Sequence, residues 1–429
     1  MKFENIFTQY DASLEKVLDI DPLGFSVIWT HFGQDIFNNK ISSVALDPRS
    51  FNINMFNHFI VKNLIDNNTL YTSSLFEKDT RVAIEKILIL LENMLIWSWY
   101  TSENNNDSWG EAKIGLLGTS KAIIKWDNNK INLDIYDLME NLELLKRQKT
   151  LGVNGRYKGS FANMGFFNLD YSEYFDNELY GKVKTLIIND KDFNQLYLSV
   201  MDFFQNQHEA ISDTLIKNYK KVFAHQDILL KNTQDFWLNN LGFASTEAQA
   251  IYNHVSIDEQ NNWNQVFTYA NEEFKSSKLQ IIIELEPKLS YIDSLFKFLL
   301  LHDGEKLENL SKITYFNKIS NEIDFDDEII QIKENCGAKE RLEKLQNVQD
   351  VESLILYHSN IMKERGHEPW LFIDKNDILQ VRVKSRDQKD DIENKLKLEL
   401  DEISWIHDYY IWSVVNIKKG FKNETLSKI

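Results

Sequence analysis

The sequence predicts a mainly α, multi-subdomain helical protein with a candidate helix-turn-helix-like element and a small C-terminal β-hairpin. Three observations predict it. Only four prolines and fifteen glycines punctuate 429 residues, too few for an architecture of many short strands and turns. Apolar residues recur at spacings of three and four in FNQLYLSVMDFFQNQ (193–207) and LSYIDSLFKFLLLH (289–302), the period of a helix with a buried face. Strand-like alternation is clearest in PWLFIDKNDILQVRVKS (369–385), folded about a Lys-Asn-Asp turn.

Taken in order, residues 1–110 read as an N-terminal helical subdomain. DPLGFSVIWTHFGQDIF (21–37) opens on an Asp-Pro pair that suits a helix start. The stretch IEKILILLENMLIWSWY (84–100) is broken by Glu92 and Asn93; it falls short of about 20 uninterrupted apolar residues and reads as a buried core helix. TSENNNDSWG (101–110) reads as a loop. Residues 111–185 form a mixed segment, with a strand expected at AIIKW (122–126), a turn at DNNK and an amphipathic helix from about Leu133 to Lys149. A central helical subdomain spans 186–312, punctuated at Pro287 and Gly304. Residues 313–429 carry a helix at about 338–364, the hairpin, and a last aromatic-rich helix from about Asp390 to Lys418.

A 43% hydrophobic share with 27 Phe, 17 Tyr and 10 Trp supplies ample apolar area for cores. The single cysteine, Cys336, permits no internal disulfide, and MKFENIFTQYD shows no charged-then-apolar leader pattern, so a cytoplasmic location without membrane attachment is expected. The net charge of −17 repels nucleic acid at long range. Any nucleic-acid contact is therefore expected to be local, or made through a partner.

One segment departs from that acidity. Between Lys113 and Lys158 there are nine Lys/Arg against five Asp/Glu, and Lys146, Arg147, Lys149, Arg156 and Lys158 follow one another without an intervening acid. In one reading of KRQKTLGVNGRYKGSFANMGFF (146–167), Leu151-Gly152-Val153 is the turn of a helix-turn-helix, and the second helix presents Arg156, Lys158 and Ser160 to a nucleic acid. Gly155 and Gly159 oppose it, each costing a helix about 1 kcal/mol relative to Ala. In a second reading the glycines form an open loop whose amides hold an anion, although neither this segment nor GLLGTSK (115–121) has P-loop spacing. In the third, it is a cationic loop paired with the acidic remainder of the chain or with a partner.

Other chemistries find less support. The nine histidines include no His-x3-His pair, and no cysteine pair completes a zinc site, so no metal or other cofactor is expected. A metal-dependent nuclease on the hairpin would have Asp374, but Gln380-Val381-Arg382-Val383-Lys384 supplies no second acid. Asp324-Phe325-Asp326-Asp327-Glu328 lacks calcium-loop spacing and reads as a solvated face. Cys336 stands near Glu334, which does not favour a thiolate, and no Gly-x-Ser-x-Gly elbow occurs. The segment 402–413, apolar around most of its circumference, reads as a helix buried on two sides or covered by a partner, with core favoured over interface.

In DPLGFSVIWTHFGQDIF (21–37) and DPRSFNINMFNHFI (47–60), the residues Asp21, Leu23, Gly24, Trp29, Arg49 and Phe51 carry a resemblance to uncharacterised bacterial proteins encoded beside antiviral-defence and helicase genes. It covers the first third of the chain and implies a genomic setting, not a reaction. The expectation that follows is a non-catalytic scaffold, adaptor or sensor subunit of a bacterial complex acting on foreign nucleic acid. Its partners would be protein subunits such as an ATPase or nuclease, with DNA or RNA touched through the basic island. The alternatives are a divergent metal-dependent nuclease and a purely protein–protein interaction module.

Overall fold

A computed structural model describes residues 21–44, 47–69, 79–110, 116–127, 144–145, 147–175, 178–208, 210–257, 261–332, 336–385 and 387–422. Among them the chain is mainly α, with one small antiparallel hairpin near the C-terminus. The helices run α1 (Phe25–Ile36), α2 (Pro48–Asp66), α3 (Thr80–Asn104), α4 (Thr119–Asp127), α5 (Gln148–Leu151), α6 (Val153–Asn163), α7 (Glu178–Asn189), α8 (Lys191–Gln205), α9 (Asp213–Phe223) and α10 (Gln226–Leu241). They continue as α11 (Glu247–His254), α12 (Trp263–Phe274), α13 (Ser277–Leu299), α14 (Leu307–Ser311), α15 (Asn317–Glu322), α16 (Asp326–Gln331), α17 (Gly337–Gln346) and α18 (Val351–Glu364). After β1 (Leu371–Ile373) and β2 (Leu379–Val381) come α19 (Lys389–Leu396) and α20 (Ile411–Phe421).

The contacts divide the chain into two compact units. The first is built from Asn38–Ser245 and the segment from Ser413 onward; the second from the segment up to Phe37 and Thr246–Trp412. In the first unit α2 is buried along almost its whole length. Phe51, Phe56, Ile60 and Leu64 fill its apolar contacts, while Asn52, Asn54, Asn57 and His58 are buried with them. Asp47 caps its first turn and Pro48 occupies the first helical position, where a missing N–H costs nothing. The stretch around Glu92 and Asn93 is indeed a core helix: α3 buries Ile84, Leu88, Leu91 and Leu95.

In the second unit α13 is the central element, packed by α1, α12 and α19. Pro287 lies inside α13 instead of ending it, because burial of residues such as Leu285, Leu289 and Ile292 holds the helix through the missing N–H. Gly304, at φ +82°, lies in the turn beyond the end of α13, where its N–H donates to the Leu379 carbonyl at 2.8 Å. The hairpin pairs Leu371 with Val381, Phe372 with Gln380 and Ile373 with Leu379. Its turn places Asp377 at φ +59°.

Several expected elements take other forms. AIIKW (122–126) is helical in α4, with Ala122 and Trp126 buried one turn apart and Ile123 and Ile124 exposed; a short apolar run fits either period until its neighbours choose. TSEN continues α3, so the loop begins at Asn105. Of the turn expected at DNNK, Asp127 closes α4 and the rest lies outside the described residues, as does most of the helix expected from Leu133. That helix does not extend to Lys149, since residues 144–145 form a bend and Arg147 sits at φ +64° before α5 opens. The single helix expected at 338–364 is two, split where Asp350 and Ser353 form a reciprocal cap. The last helix is also split: Trp405, Tyr409 and Tyr410 lie between α19 and α20, with both tyrosines at positive φ.

Candidate functional site

The residues best placed for function surround the basic island in the first unit. Glu85, Ile89 and Glu92 are spaced so that they share one face of α3. Against that face lie α5 and α6, which meet at Gly152. A helix start normally takes a Ser, Thr, Asp or Asn cap, but Gly152 has no side chain to offer. Glu92 supplies the cap from α3 instead. Its Oε1 accepts the Asn154 N–H at 2.7 Å, and its Oε2 accepts Gln148 Nε2 at 3.1 Å.

This cap explains the glycines. A Cβ on Gly152 would collide with Glu92 Oε2 and the Gln148 carbonyl, and one on Gly155 would collide with the Lys149 and Thr150 backbone. Both are close-approach glycines of a helical corner. The open anion-holding loop is thus replaced by a helix, α6, which carries both Gly155 and Gly159. The turn at Leu151-Gly152-Val153 stands as expected, although the helix before it is one turn long.

Behind the cap runs a buried chain of hydrogen bonds. Asn154 Oδ1 accepts from Tyr171 Oη at 3.0 Å and lies 3.0 Å from His58 Nε2, whose Nδ1 is 2.9 Å from Tyr174 Oη. An amide oxygen only accepts, so His58 carries its proton on Nε2 and takes the Tyr174 hydroxyl at Nδ1. Burial lowers the His58 pKa to about 3, keeping the ring neutral. Gln148 Nε2 also donates to Asn93 Oδ1 at 3.1 Å.

The same elements enclose a cavity of about 20 Å³, on a scale where one water needs about 10–15 Å³. Its walls include Glu85, Glu92, Gln148, Lys149, Lys158 and Tyr171. Burial raises the Glu92 pKa to about 7 despite its hydrogen-bond donors, so near neutrality the carboxyl is shared between charged and neutral forms. Lys158 is shifted the other way, lowered chiefly by burial, with its Nζ 4.1 Å from the centre of the Tyr171 ring. Glu85 takes Lys149 at 2.6 Å and Arg81 at 3.5 Å, and its charge also reaches Lys158. Three cations therefore stand around Glu85, and the charge of Asp170 also reaches Arg81 and Lys158.

The island residues are placed as follows. Lys146 lies outside the described residues. Lys149 and Lys158 converge on the cavity. Arg147 is exposed ahead of α5, and exposed Arg156 donates Nε to the Leu151 carbonyl at 3.0 Å, closing the corner. Ser160 is buried at 4% exposure, on the face of α6 that also buries Tyr157 and Phe161. Arg81, Glu85, Glu92, Asn154 and Tyr171 were not singled out by sequence as site residues. The available signal was the polar pair Glu92-Asn93 inside an otherwise apolar helix, since an acid in such a place requires partners.

The other candidate chemistries are held in structural bonds. Asp374 Oδ1 accepts the Asn376 and Ile378 amides and Oδ2 accepts Gln380 Nε2, bonds that lower its pKa and close the hairpin turn. Asp326, Asp327 and Glu328 open α16; Glu328 is 1% exposed and pairs with Lys288 at 2.7 Å, so the acidic run is not wholly a solvated face. His358 accepts the Trp370 amide at Nε2 and donates Nδ1–H to the Pro22 carbonyl. No group of three or more His, Cys, Asp or Glu among the described residues is placed to hold a metal ion. Nor is any described helix long and apolar enough to cross a membrane.

Comparison with protein-family models, with curated proteins and with solved structures returned no match. The residues that carry the resemblance noted in the sequence have structural work to do. Asp21 accepts the Phe25 and Ser26 amides at the start of α1 and pairs with Arg365, while Gly24 sits at φ +71°. Leu23 and Phe51 are core residues, Trp29 stacks on His407, and Arg49 forks onto Asp47.

Proposed function

We propose that this protein is a non-catalytic subunit of a bacterial assembly acting on foreign nucleic acid, and that it touches the phosphate backbone at the cationic rim formed by Arg81, Lys149 and Lys158. The observation that carries the reading is the convergence of those three side chains on Glu85 in a chain of net charge −17. Glu85 and Asp170, the second of which also acts on Arg81 and Lys158, set two carboxylates against three cations, and the adjacent Glu92 is only partly charged near neutral pH. A phosphate oxygen supplies the missing negative charge. Arg147 and Arg156 extend the same corner as exposed cations. The antiviral setting rests on the resemblance of residues 21–60, and the non-catalytic role on the structural engagement of Asp374, Glu328 and His358.

Binding of labelled duplex and single-stranded DNA, followed by fluorescence anisotropy across salt, tests this. Weak, sequence-independent affinity that falls with salt is expected. Arg81→Glu with Lys158→Glu should abolish it at low salt. Affinity that is absent at low salt, or unchanged in the double variant, would remove direct nucleic-acid contact at this rim. Cleavage of the same DNA with added Mg²⁺ or Mn²⁺, lost in Asp374→Ala, would favour the nuclease alternative.

A further inference from the structure

Glu92, Glu286 and Glu328 are the buried glutamates among the described residues, and they differ in one respect. Glu328 holds Lys288 at 2.7 Å and Glu286 holds the His407 ring at 2.9 Å, so each has a basic group beside it. Glu92 has none. Its Oε1 takes the Asn154 amide at 2.7 Å, its Oε2 takes Gln148 Nε2 at 3.1 Å, and the Val153 amide also donates to the carboxyl. All three donors are neutral. They orient the group without fixing its charge, and because a carboxylate oxygen carries two lone pairs, Oε2 keeps one for a proton.

Glu92 also lines the cavity of about 20 Å³ whose wall includes Lys149 and Lys158. An anion drawn to those cations therefore comes to stand beside a buried carboxyl that has no cation of its own. Two negative charges repel strongly where water is excluded, whereas a neutral carboxyl offers an O–H.

We propose that binding of a nucleic-acid phosphate at this rim is coupled to proton uptake by Glu92, so that acid strengthens the contact and the phosphate in turn drives the carboxyl to its neutral form. The two effects are one free energy seen from either side. One proton moves from solvent to Glu92, and no other bond is made or broken. The coupling rests on the phosphate contact proposed above and adds its regulation. Burial places the Glu92 pKa at about 7 before the phosphate arrives, so the exchange falls near neutral pH.

The groups packed around Glu92 leave it as the one suited to this exchange. α3 itself brings Arg81 and Glu85, α5 brings Lys149, and α6 brings Lys158. The segment after α6 brings Asp170 and Tyr171, the second held protonated by burial. From α2 comes His58, which burial keeps neutral with a pKa of about 3. α4 meets α3 through Trp126, and Lys220 of α9 pairs with Asp107, beyond the C-terminal end of α3.

Anisotropy of labelled single-stranded DNA with the full-length protein, at pH 6 and pH 8 and one low salt concentration, tests the coupling. A rise of one unit or more in the Glu92 pKa on binding makes the affinity about five- to tenfold higher at pH 6. Glu92→Gln is neutral at both values and should bring that ratio below about twofold, while other titrations persist in both proteins. Calorimetry of wild type at pH 7 in two buffers of different ionisation heat counts the proton directly; uptake should be about half a proton per site. Binding that is lost in Arg81→Glu with Lys158→Glu, yet takes up no proton in the wild type, overturns the coupling and leaves the phosphate contact standing. The same conclusion follows from an equal pH ratio in wild type and in a Glu92→Gln variant with the wild-type melting curve. If that variant does not fold, the wild-type proton count decides alone. Binding that is absent, or indifferent to the Arg81→Glu and Lys158→Glu pair, removes the phosphate contact and the coupling with it.

Discussion

Each unit buries a glutamate, and the two do different work. Glu286, fully buried in the second unit, accepts the amides of Ile406 and His407, the His407 ring at 2.9 Å, the Tyr409 hydroxyl at 2.7 Å and the Ser290 hydroxyl at 3.0 Å. It fastens the segment between α19 and α20 onto α13. Glu92, in the first unit, caps α6 and takes Gln148, and borders a cavity rimmed by cations. Five donors make a carboxylate a structural rivet; a few donors beside a cavity leave it able to exchange a proton. Burial thus marks both glutamates as important, and the number and kind of partners separates their roles.

Breaking the rivet should have the largest effect. Glu286→Ala leaves two backbone amides, a tyrosine and a histidine without their acceptor, which should cost about 3–5 kcal/mol of stability by urea unfolding. A loss below about 1 kcal/mol would show that the segment 406–409 holds itself. Glu92 should instead show itself as a pH dependence. Its pKa is higher in the folded protein, about 7, than the ordinary 4.5, so folding takes up a proton between those values. The contribution is most favourable below pH 4.5 and is lost as pH rises through about 7. At about 1.4 kcal/mol per unit the difference amounts to about 3 kcal/mol. Unfolding at pH 5 and pH 8 should differ less in Glu92→Gln than in the wild type by about that amount. An identical pH dependence in the two proteins would mean that Glu92 stays ionised throughout.

A smaller contrast lies within the island itself. Gly152→Ala drives a methyl group into Glu92 and Gln148, and should destabilise by about 1–3 kcal/mol. Gly159 is exposed on α6 with open space around it, so Gly159→Ala should stabilise by up to about 1 kcal/mol through helix propensity. Thermal melts of the two variants should move in opposite directions; a shift in the same direction would contradict the corner geometry.

Much of the fold was legible because it depends on local period and composition. The core helix around Glu92, the helices over most of 193–207 and 289–302, and the hairpin at 371–381 follow from apolar spacing and turn residues. The misread elements depend on partners far along the chain. Tyr409 and Tyr410 look helical until Glu286, more than a hundred residues earlier, draws the intervening amides onto one carboxylate. Gly155 reads as a helix breaker until the Lys149 and Thr150 carbonyls are seen to need its missing side chain. At the candidate site, the basic residues were visible as a charge anomaly. Glu85, Glu92 and Tyr171 were not, since their role comes from the α3 face meeting the α5–α6 corner.

The central claim, that nucleic-acid phosphate is met at this corner, is tested most directly by amide hydrogen exchange of the full-length protein with and without DNA at low salt. Added protection confined to peptides covering residues 79–92 and 147–160 is the predicted result. No change there, or protection confined to other peptides, would contradict it.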